Sequence, residues 1–391
     1  MSPFRWLTLL SCAALLCACA SHPPALAVLP DLPGGPDLAY AYDISGDGKS
    51  IAGEGWSTNN LQHGIGLRWK RTGSAWTVQS FGLPAGPPAA LNTPAASLDR
   101  NASVYVGRVS FEVQDALVDI DTLAYTWRPS TGLALLPNLG TDLVGAAACA
   151  SHHGESVFGY GWPKGTPQYR DPYALAWKFT SSSNPSVQRI DPAHEGMALR
   201  TERNGRHVVG WGRSPAVGGD AALGREAVCW TRQGASWTTE WLGFLPGFTA
   251  GSIVNDISRK NGRFAAGSAS DANGLSHPVR WRLANGRKQQ TLDLGLPTGM
   301  VWAAAGAVNE NGRRVVGTCS NGGDDFEVFV WDAGVGLRLL RDFLPNAVAQ
   351  WKNMSATGLS DNGRVVCGYG EHQPGGPNTA TVERAWVATL P

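Results

Sequence analysis

Residues Ala304–Asn346 read AAGAVNENGRRVVGTCSNGGDDFEVFVWDAGVGLRLLRDFLPN, and this stretch decides the fold. Three short strand-like runs, AGAVN, RRVVGT and EVFVW, precede a fourth, LRLL, that closes on Leu344-Pro345. Asn311-Gly312 separates the first two runs. That dipeptide supplies the positive φ angles of a tight hairpin turn, so the pair predicts two strands joined by a hairpin. The third run ends in Trp331.

The rest of the chain repeats this unit. The glycine ending the second run recurs as Gly53, Gly107, Gly159, Gly210, Gly267, Gly317 and Gly368, at spacings of 54, 52, 51, 57, 50 and 51 residues. The third run ends in Trp69, Trp127, Trp177, Trp230, Trp281, Trp331 and Trp386. Asn-Gly returns at 204–205, 261–262, 311–312 and 362–363, with Asp47-Gly48 in the same place; Asn101-Ala102 and His153-Gly154 are degraded turns in register. A period near 50 points to propeller blades or solenoid turns. Twelve residues before the anchor glycine lie Ala41, Ala95, Ala147, Ala198, Ala305 and Ala356, with Val254 in the copy whose turn is one residue longer. A small residue in every copy predicts a crowded place where inner strands converge on an axis. Tryptophan on the third run then fills the wider wedge between blades, each ring removing about 150–250 Å² from water.

Closure separates a ring from a linear array. The last copy stops at Trp386–Pro391 without a fourth run, while Leu26–Gly34, ahead of the first copy, resembles the fourth runs Leu133–Gly140 and Leu337–Pro345. An N-terminal outer strand completing the last blade removes the open sheet edges that a linear array would have to cap. The expected fold is all-β: a seven-bladed β-propeller over residues 27–391, with four-stranded blades.

The pattern Ala-Val-Asn-Glu-Asn-Gly-Arg-Arg-Val-Val-Gly, then His-Pro-Val-Arg-Trp, then Leu-Gly-Leu-Pro-Thr-Gly resembles the HAF-type repeats of bacterial extracellular proteins. The resemblance covers nearly all of residues 27–391. It departs from the family at its eponymous His-Ala-Phe, where only His277 keeps the histidine. What it implies is an exported repeat protein with a propeller-like fold; it implies no activity.

The N-terminus reads as an export signal: Arg5 flanks an apolar core, Trp6–Leu16, too short to span a bilayer. Leu16-Cys17-Ala18-Cys19 resembles a lipobox, giving a signal peptide at 1–18, lipidation at Cys19 and a tether at 19–26. Three acyl chains would anchor firmly, at about 0.8 kcal/mol per buried methylene. Ala20 after the lipidated cysteine favours the outer membrane. The alternative, ordinary cleavage at Ala20 and a periplasmic or secreted chain, stays open. Lys and Arg total 32 against 31 Asp and Glu, a net charge of +1, so nothing suggests a nucleic-acid partner. Cys149, Cys229, Cys319 and Cys367 lie one per repeat inside strand-like runs and read as buried small hydrophobes, although disulfides are permitted.

The long, variable loops join second to third strands, on the face opposite the hairpin turns, and there function gathers. Aromatics beside glycine in or near them, Trp56, Tyr160, Trp162, Trp211 and Tyr369, are the candidate ligand contacts, suited to sugar rings or peptide side chains; packing against neighbouring loops is the competing reading. Asp43, Ser45, Asp47 and Glu54 match the spacing of a calcium loop, but their flanks are repeat strands, so the match lacks its context. His152-His153 falls in a hairpin turn and reads as solvated. No nucleophile elbow, zinc-protease motif or Asp box occurs, and no cofactor is expected. Asp43 and Asp256 hold equivalent first-strand places. Paired carboxylates act on glycosidic bonds at about 5–10 Å separation, and blades 1 and 5 are not neighbours. The expectation is a non-enzymatic binding or scaffold propeller for envelope or extracellular proteins or glycans, touching the membrane only through its lipid. A glycan-processing hydrolase or lyase using channel carboxylates is the alternative.

Overall fold

The computed structural model describes residues 23–391 except 58–59, 85–89, 113–119, 141–142, 164–171, 180–184, 215–223, 324 and 377–378. Cys19 and the export signal lie outside the described residues. Seven antiparallel sheets succeed one another along the chain. Blade 1 is Ala39–Ile44, Ser50–Ser57, Asn60–Thr72 and Ala75–Ser80, and blades 3 to 6 repeat its order. In blade 2 the inner strand is split into Ala90–Asn92 and Ala95–Leu98, on either side of Pro94, which has no N–H to give a ladder. Blade 7 supplies Trp351–Leu359, Val365–His372 and Val382–Thr389, and its outer strand is Ala25–Val28 from the other end of the chain, paired from Ala25↔Thr389 to Val28↔Trp386. The seven-bladed ring closed by an N-terminal strand is the observed fold, with that strand beginning two residues before Ala27. Two one-turn helices, Leu340–Phe343 and Pro345–Val348, follow blade 6.

The core consists of layers between neighbouring blades. Trp69 packs with Val365, Cys367 and Val387 of blade 7, and Trp281 packs with Val209, Ala227 and Cys229 of blade 4. Trp69, Trp177, Trp230, Trp281 and Trp386 are fully buried. Trp69 and Trp177 donate their indole N–H to the carbonyls of Pro30 and Pro137, 2.7 Å each, just past the outer strand of the preceding blade. The fourth-run Leu-Pro is thus a clasp from one blade to the next. All four described cysteines are free and buried, and burial pushes each thiol up to about 12.

The register carries a bulge that the run pattern does not signal. The small residue pairs with the anchor glycine in every blade (Ala41↔Gly53 through Ala356↔Gly368), and a β-bulge follows it each time. The bulge swings the preceding carbonyl over the glycine: a Cβ there would stand 1.9–2.1 Å from Tyr40, Pro94, Ala146, Met197, Ile253, Ala304 or Ser355 oxygen. Hence only glycine fits. The small residues lie in the seams between blades, as Ala41 does against Trp69. The bulged residues one place on, such as Tyr42, Leu199, Asn255 and Thr357, line the axis, with the small residues Ala147 and Ala356 reaching it beside them. Bulges commonly re-aim a side chain in this way.

The hairpin face is closed. In every blade a side-chain oxygen at the end of the first strand (Ser45, Asp99, Ser151, Glu202, Ser258, Asn309 or Ser360) accepts the N–H that opens or just precedes the second strand, at 2.8–3.3 Å. The turns are then tied in a ring by Gly46 N–H to Arg100 O, His152 to Arg203, Arg203 to Arg259, Glu310 to Asp361 and Asp361 to Gly46, at 2.6–3.1 Å. At the two remaining seams a carboxylate makes the link, Asp99 accepting from His153 N–H at 3.3 Å and Glu310 from Lys260 N–H at 2.8 Å.

Candidate functional site

Just inside this closed end sit the two carboxylates singled out in the sequence. Asp43 Oδ2 accepts from the Leu98 N–H at 3.2 Å and from the Ser97 hydroxyl, both on blade 2. Its Oδ1 takes the Ile44 N–H at 2.8 Å and the guanidinium of Arg259, which comes from the blade 5 hairpin. Asp256 Oδ2 accepts from the Val308 N–H of blade 6 at 2.9 Å, the same latch four blades on, while its Oδ1 is buried without a partner. Separation by blade number therefore misleads: Arg259 joins blades 1 and 5 across the ring. Burial pushes Asp43 up, but Arg259, Arg200 and the Ser97 hydrogen bond outweigh it and hold the carboxyl below its ordinary range. Burial wins at Asp256, raising it to about 6 against the pull of Arg259 and Arg200. Both groups latch neighbouring blades and are at most 3% exposed.

The calcium-loop reading fails for the same reason. Asp43 is engaged with Arg259, Ser45 caps its own turn and donates to Asp47 at 2.6 Å, and Glu54 lies toward the other end of the ladder, accepting from the Tyr42 hydroxyl at 2.5 Å. These oxygens do not converge. Among the described residues, the one group of three or more His, Cys, Asp or Glu donors close enough to share an ion is Asp99, His152 and His153.

The loop-side end is open. A cavity of about 450 Å³ on the axis is lined by Tyr42, Glu54, Arg108, Tyr160, Arg200 and Asn255, among others. A second, of about 520 Å³, shares Asn255, Gly306 and Ala356 with it and is walled by Trp302, Phe326, Asn353, Tyr369, Glu371 and Glu383. The two form one basin over blades 5 to 7 and the axis. Its blade 7–blade 1 side is an aromatic cluster. Tyr369 meets Tyr40 and Tyr42 edge-on at 5.1 and 6.1 Å, and Trp56 meets Tyr40 at 5.8 Å. The Tyr40 and Tyr42 hydroxyls donate to Glu383 and Glu54. Burial, then those carboxylates, push both phenols up, so they remain donors. Burial likewise raises Glu54, against its Tyr42 hydrogen bond and Arg108.

Of the five aromatic candidates, the structure brings Trp56 and Tyr369 together and puts Tyr160 on the cavity wall. Trp162 and Trp211 are only 4% and 6% exposed. Trp162 packs with Val144 and Ala146, and Trp211 lies under the Arg225 guanidinium at 4.5 Å, so both are packing rings. Sequence reasoning missed Asn255, Thr357, Arg200, Glu371 and Glu383. The first two were findable as the residue after the small one, had the bulge been anticipated.

No protein-family model and no curated protein matches the sequence. Among solved structures, TolB from Acinetobacter baumannii is similar over 90% of this chain and 63% of its own, with 12% identity and a TM-score of 0.38. A Mycobacterium tuberculosis puromycin-hydrolyzing peptidase is similar over 89% of this chain and 51% of its own, at 15% and 0.48. The β-propeller domain of the Trilobed protease from Pyrococcus furiosus is similar over 78% and 84%, at 12% and 0.48. The likeness is one of overall fold. Among the described residues, no helix is long and apolar enough to cross a membrane.

Proposed function

We propose that this chain is an exported lipoprotein, held at the outer membrane through Cys19, whose HAF-like propeller binds an envelope or extracellular protein or glycan in the loop-side basin. One observation carries the binding assignment: the two ends of the axial channel differ. The hairpin end is closed by a ring of hydrogen bonds, five between main chains and two to carboxylates, whereas the other opens into a basin with aromatic rings and hydrogen-bonding carboxylates on its walls. Rings flanked by polar groups suit sugar faces or apolar side chains, with carboxylates and amides fixing orientation. The glycan-processing alternative loses its proposed carboxylates, since Asp43 and Asp256 are buried and hold adjacent blades.

The test uses the Cys19→Ala chain as bait in outer-membrane extracts and against purified envelope glycans. Tyr369→Ala combined with Trp302→Ala should weaken capture at least tenfold, whereas Trp211→Phe should leave it intact. Undiminished capture by the double variant would remove the basin from consideration. Separately, Cys19→Ala should move the protein out of the membrane fraction; retention there would refute the lipid anchor.

A further inference from the structure

The hairpin turns share one plan, and blade 3 departs from it. In blades 1, 5, 6 and 7 an Asp or Asn in the turn (Asp47, Asn261, Asn311, Asn362) accepts the N–H two residues on, at 2.9–3.0 Å. Blade 3 carries His153 there, at a left-handed φ of 58°, a conformation that none of the six equivalent residues adopts. Side chains with a Cβ rarely take that conformation without compensation. It turns the His153 N–H onto Asp99 Oδ2 of blade 2 and sets its ring against that of His152, centroids 3.6 Å apart and planes tilted by 39°. Asp99 is unusual too. Ser caps this turn in four other blades with its single oxygen, whereas the Asp99 carboxylate caps through Oδ1 and faces the histidines with Oδ2, which also accepts from the Ser103 hydroxyl at 3.0 Å.

We propose that Asp99, His152 and His153 form a binding site for one divalent transition-metal ion of the zinc class, at the seam of blades 2 and 3. One donor atom from each of the three residues lies within 4.8 Å of the others. Two donors at a tetrahedral angle on a zinc ion, with bonds of 2.0–2.1 Å, stand about 3.4 Å apart. His152 Nδ1 is already 3.8 Å from Asp99 Oδ2, and it is buried with no hydrogen-bond partner, a condition that a metal bond would relieve. Two imidazoles and one carboxylate select zinc-like ions over calcium or magnesium, which favour all-oxygen shells. The carboxylate is oriented from behind, Oδ1 taking the N–H groups of Ser103 at 2.6 Å and Val104 at 2.8 Å, in the manner of an outer-shell support. His153 is exposed, which leaves room for water to complete the coordination. Arg100 and Arg203 are within electrostatic reach of His152, and their positive charge opposes a cation there. The ion would span one of the two seams at which the ring of turns lacks a main-chain to main-chain link, and would tie blade 2 to blade 3.

The experiment is calorimetric titration of zinc chloride into the untagged, metal-free Cys19→Ala chain. Wild-type sequence at the site should take up one ion per chain, with excess magnesium failing to compete. His153→Asn installs the residue used in other blades, and Asp99→Ser keeps the cap while removing the second oxygen; each should weaken binding at least tenfold. Should His153→Asn fail to fold, Asp99→Ser carries the test alone, with circular dichroism confirming its fold. Absence of saturable zinc uptake would overturn the proposal. So would uptake unchanged in the variants, which would place the ion on surface pairs such as His194–Asp191 or His277–Asp293.

Discussion

Replacing Asp256 by Asn tests whether the axial charge cluster stabilises the ring or burdens it. The carboxyl is buried, and its folded value is raised from 3.8 to about 6, with burial as the largest cause. Well below pH 3.8 it is neutral in both folded and unfolded chains. Between about 4 and 6 the unfolded chain loses this proton while the folded chain keeps it, so stability falls as pH rises through that window. A shift of about two units corresponds to about 3 kcal/mol, at 1.36 kcal/mol per unit, lost in full above pH 6. Asn imitates the protonated form: it can still accept the Val308 N–H and places an amide where Oδ1 now has no partner. Asp256→Asn should therefore match wild type in urea denaturation near pH 3 and exceed it by about 2–3 kcal/mol at pH 7.5. Asp43 is the internal control. Its folded value is lowered, so its contribution is present above the unfolded aspartate range and lost as pH falls below it, a window that does not overlap that of Asp256. If Asp256→Asn were less stable than wild type at pH 7.5, the carboxylate would be favourably paired with Arg259, and the assignment of burial as the dominant influence would be wrong.

Three further outcomes follow from the packing. Trp281→Ala, emptying the seam of blades 4 and 5, should lower unfolding free energy by about 3–5 kcal/mol in urea titrations. Gly317→Ala drives a methyl to 2.1 Å from the Ala304 carbonyl and should cost about 1–3 kcal/mol. Gly145→Ala, whose nearest neighbour is 3.5 Å away, should be neutral or stabilise by up to about 1 kcal/mol, and equal costs at the two sites would refute the bulge explanation. Removing residues 23–30 leaves Val382–Thr389 as a bare edge and takes away Leu29, which is fully buried. Light scattering should report association, and the loss of Leu29 alone should lower the urea midpoint by the equivalent of about 2–5 kcal/mol.

The ring was legible because its determinants are local and repeated seven times. Trp69 and its counterparts mark the seams, glycine turns mark the hairpins, and a missing fourth run at one end with a spare run at the other implies closure. The site was less legible because it depends on a displacement of the chain with no residue code of its own. The bulge after Ala41 or Val254 is written in the anchor glycine of the partner strand, Gly53 or Gly267, through a carbonyl that tolerates no Cβ. Read without the bulge, Ala41 belongs on the axis and Tyr42 in a seam; with it, the two exchange places. The same displacement carries Asn255 and Thr357 inward, where they donate to the Ala305 and Ala41 carbonyls of the next blade at 2.8 and 2.9 Å. Blade 2 with Ala96 and blade 6 with Gly306 carry no side-chain donor at the bulge and cannot make this bond. Six of the seven bulged residues, Tyr42, Ala96, Leu199, Asn255, Gly306 and Thr357, line the cavity, and of these Gly306 is held to glycine, since a Cβ there would stand 2.4 Å from the Ala356 carbonyl oxygen. Substitution at the other five can reshape the cavity wall while the seams, glycines and clasps stay fixed.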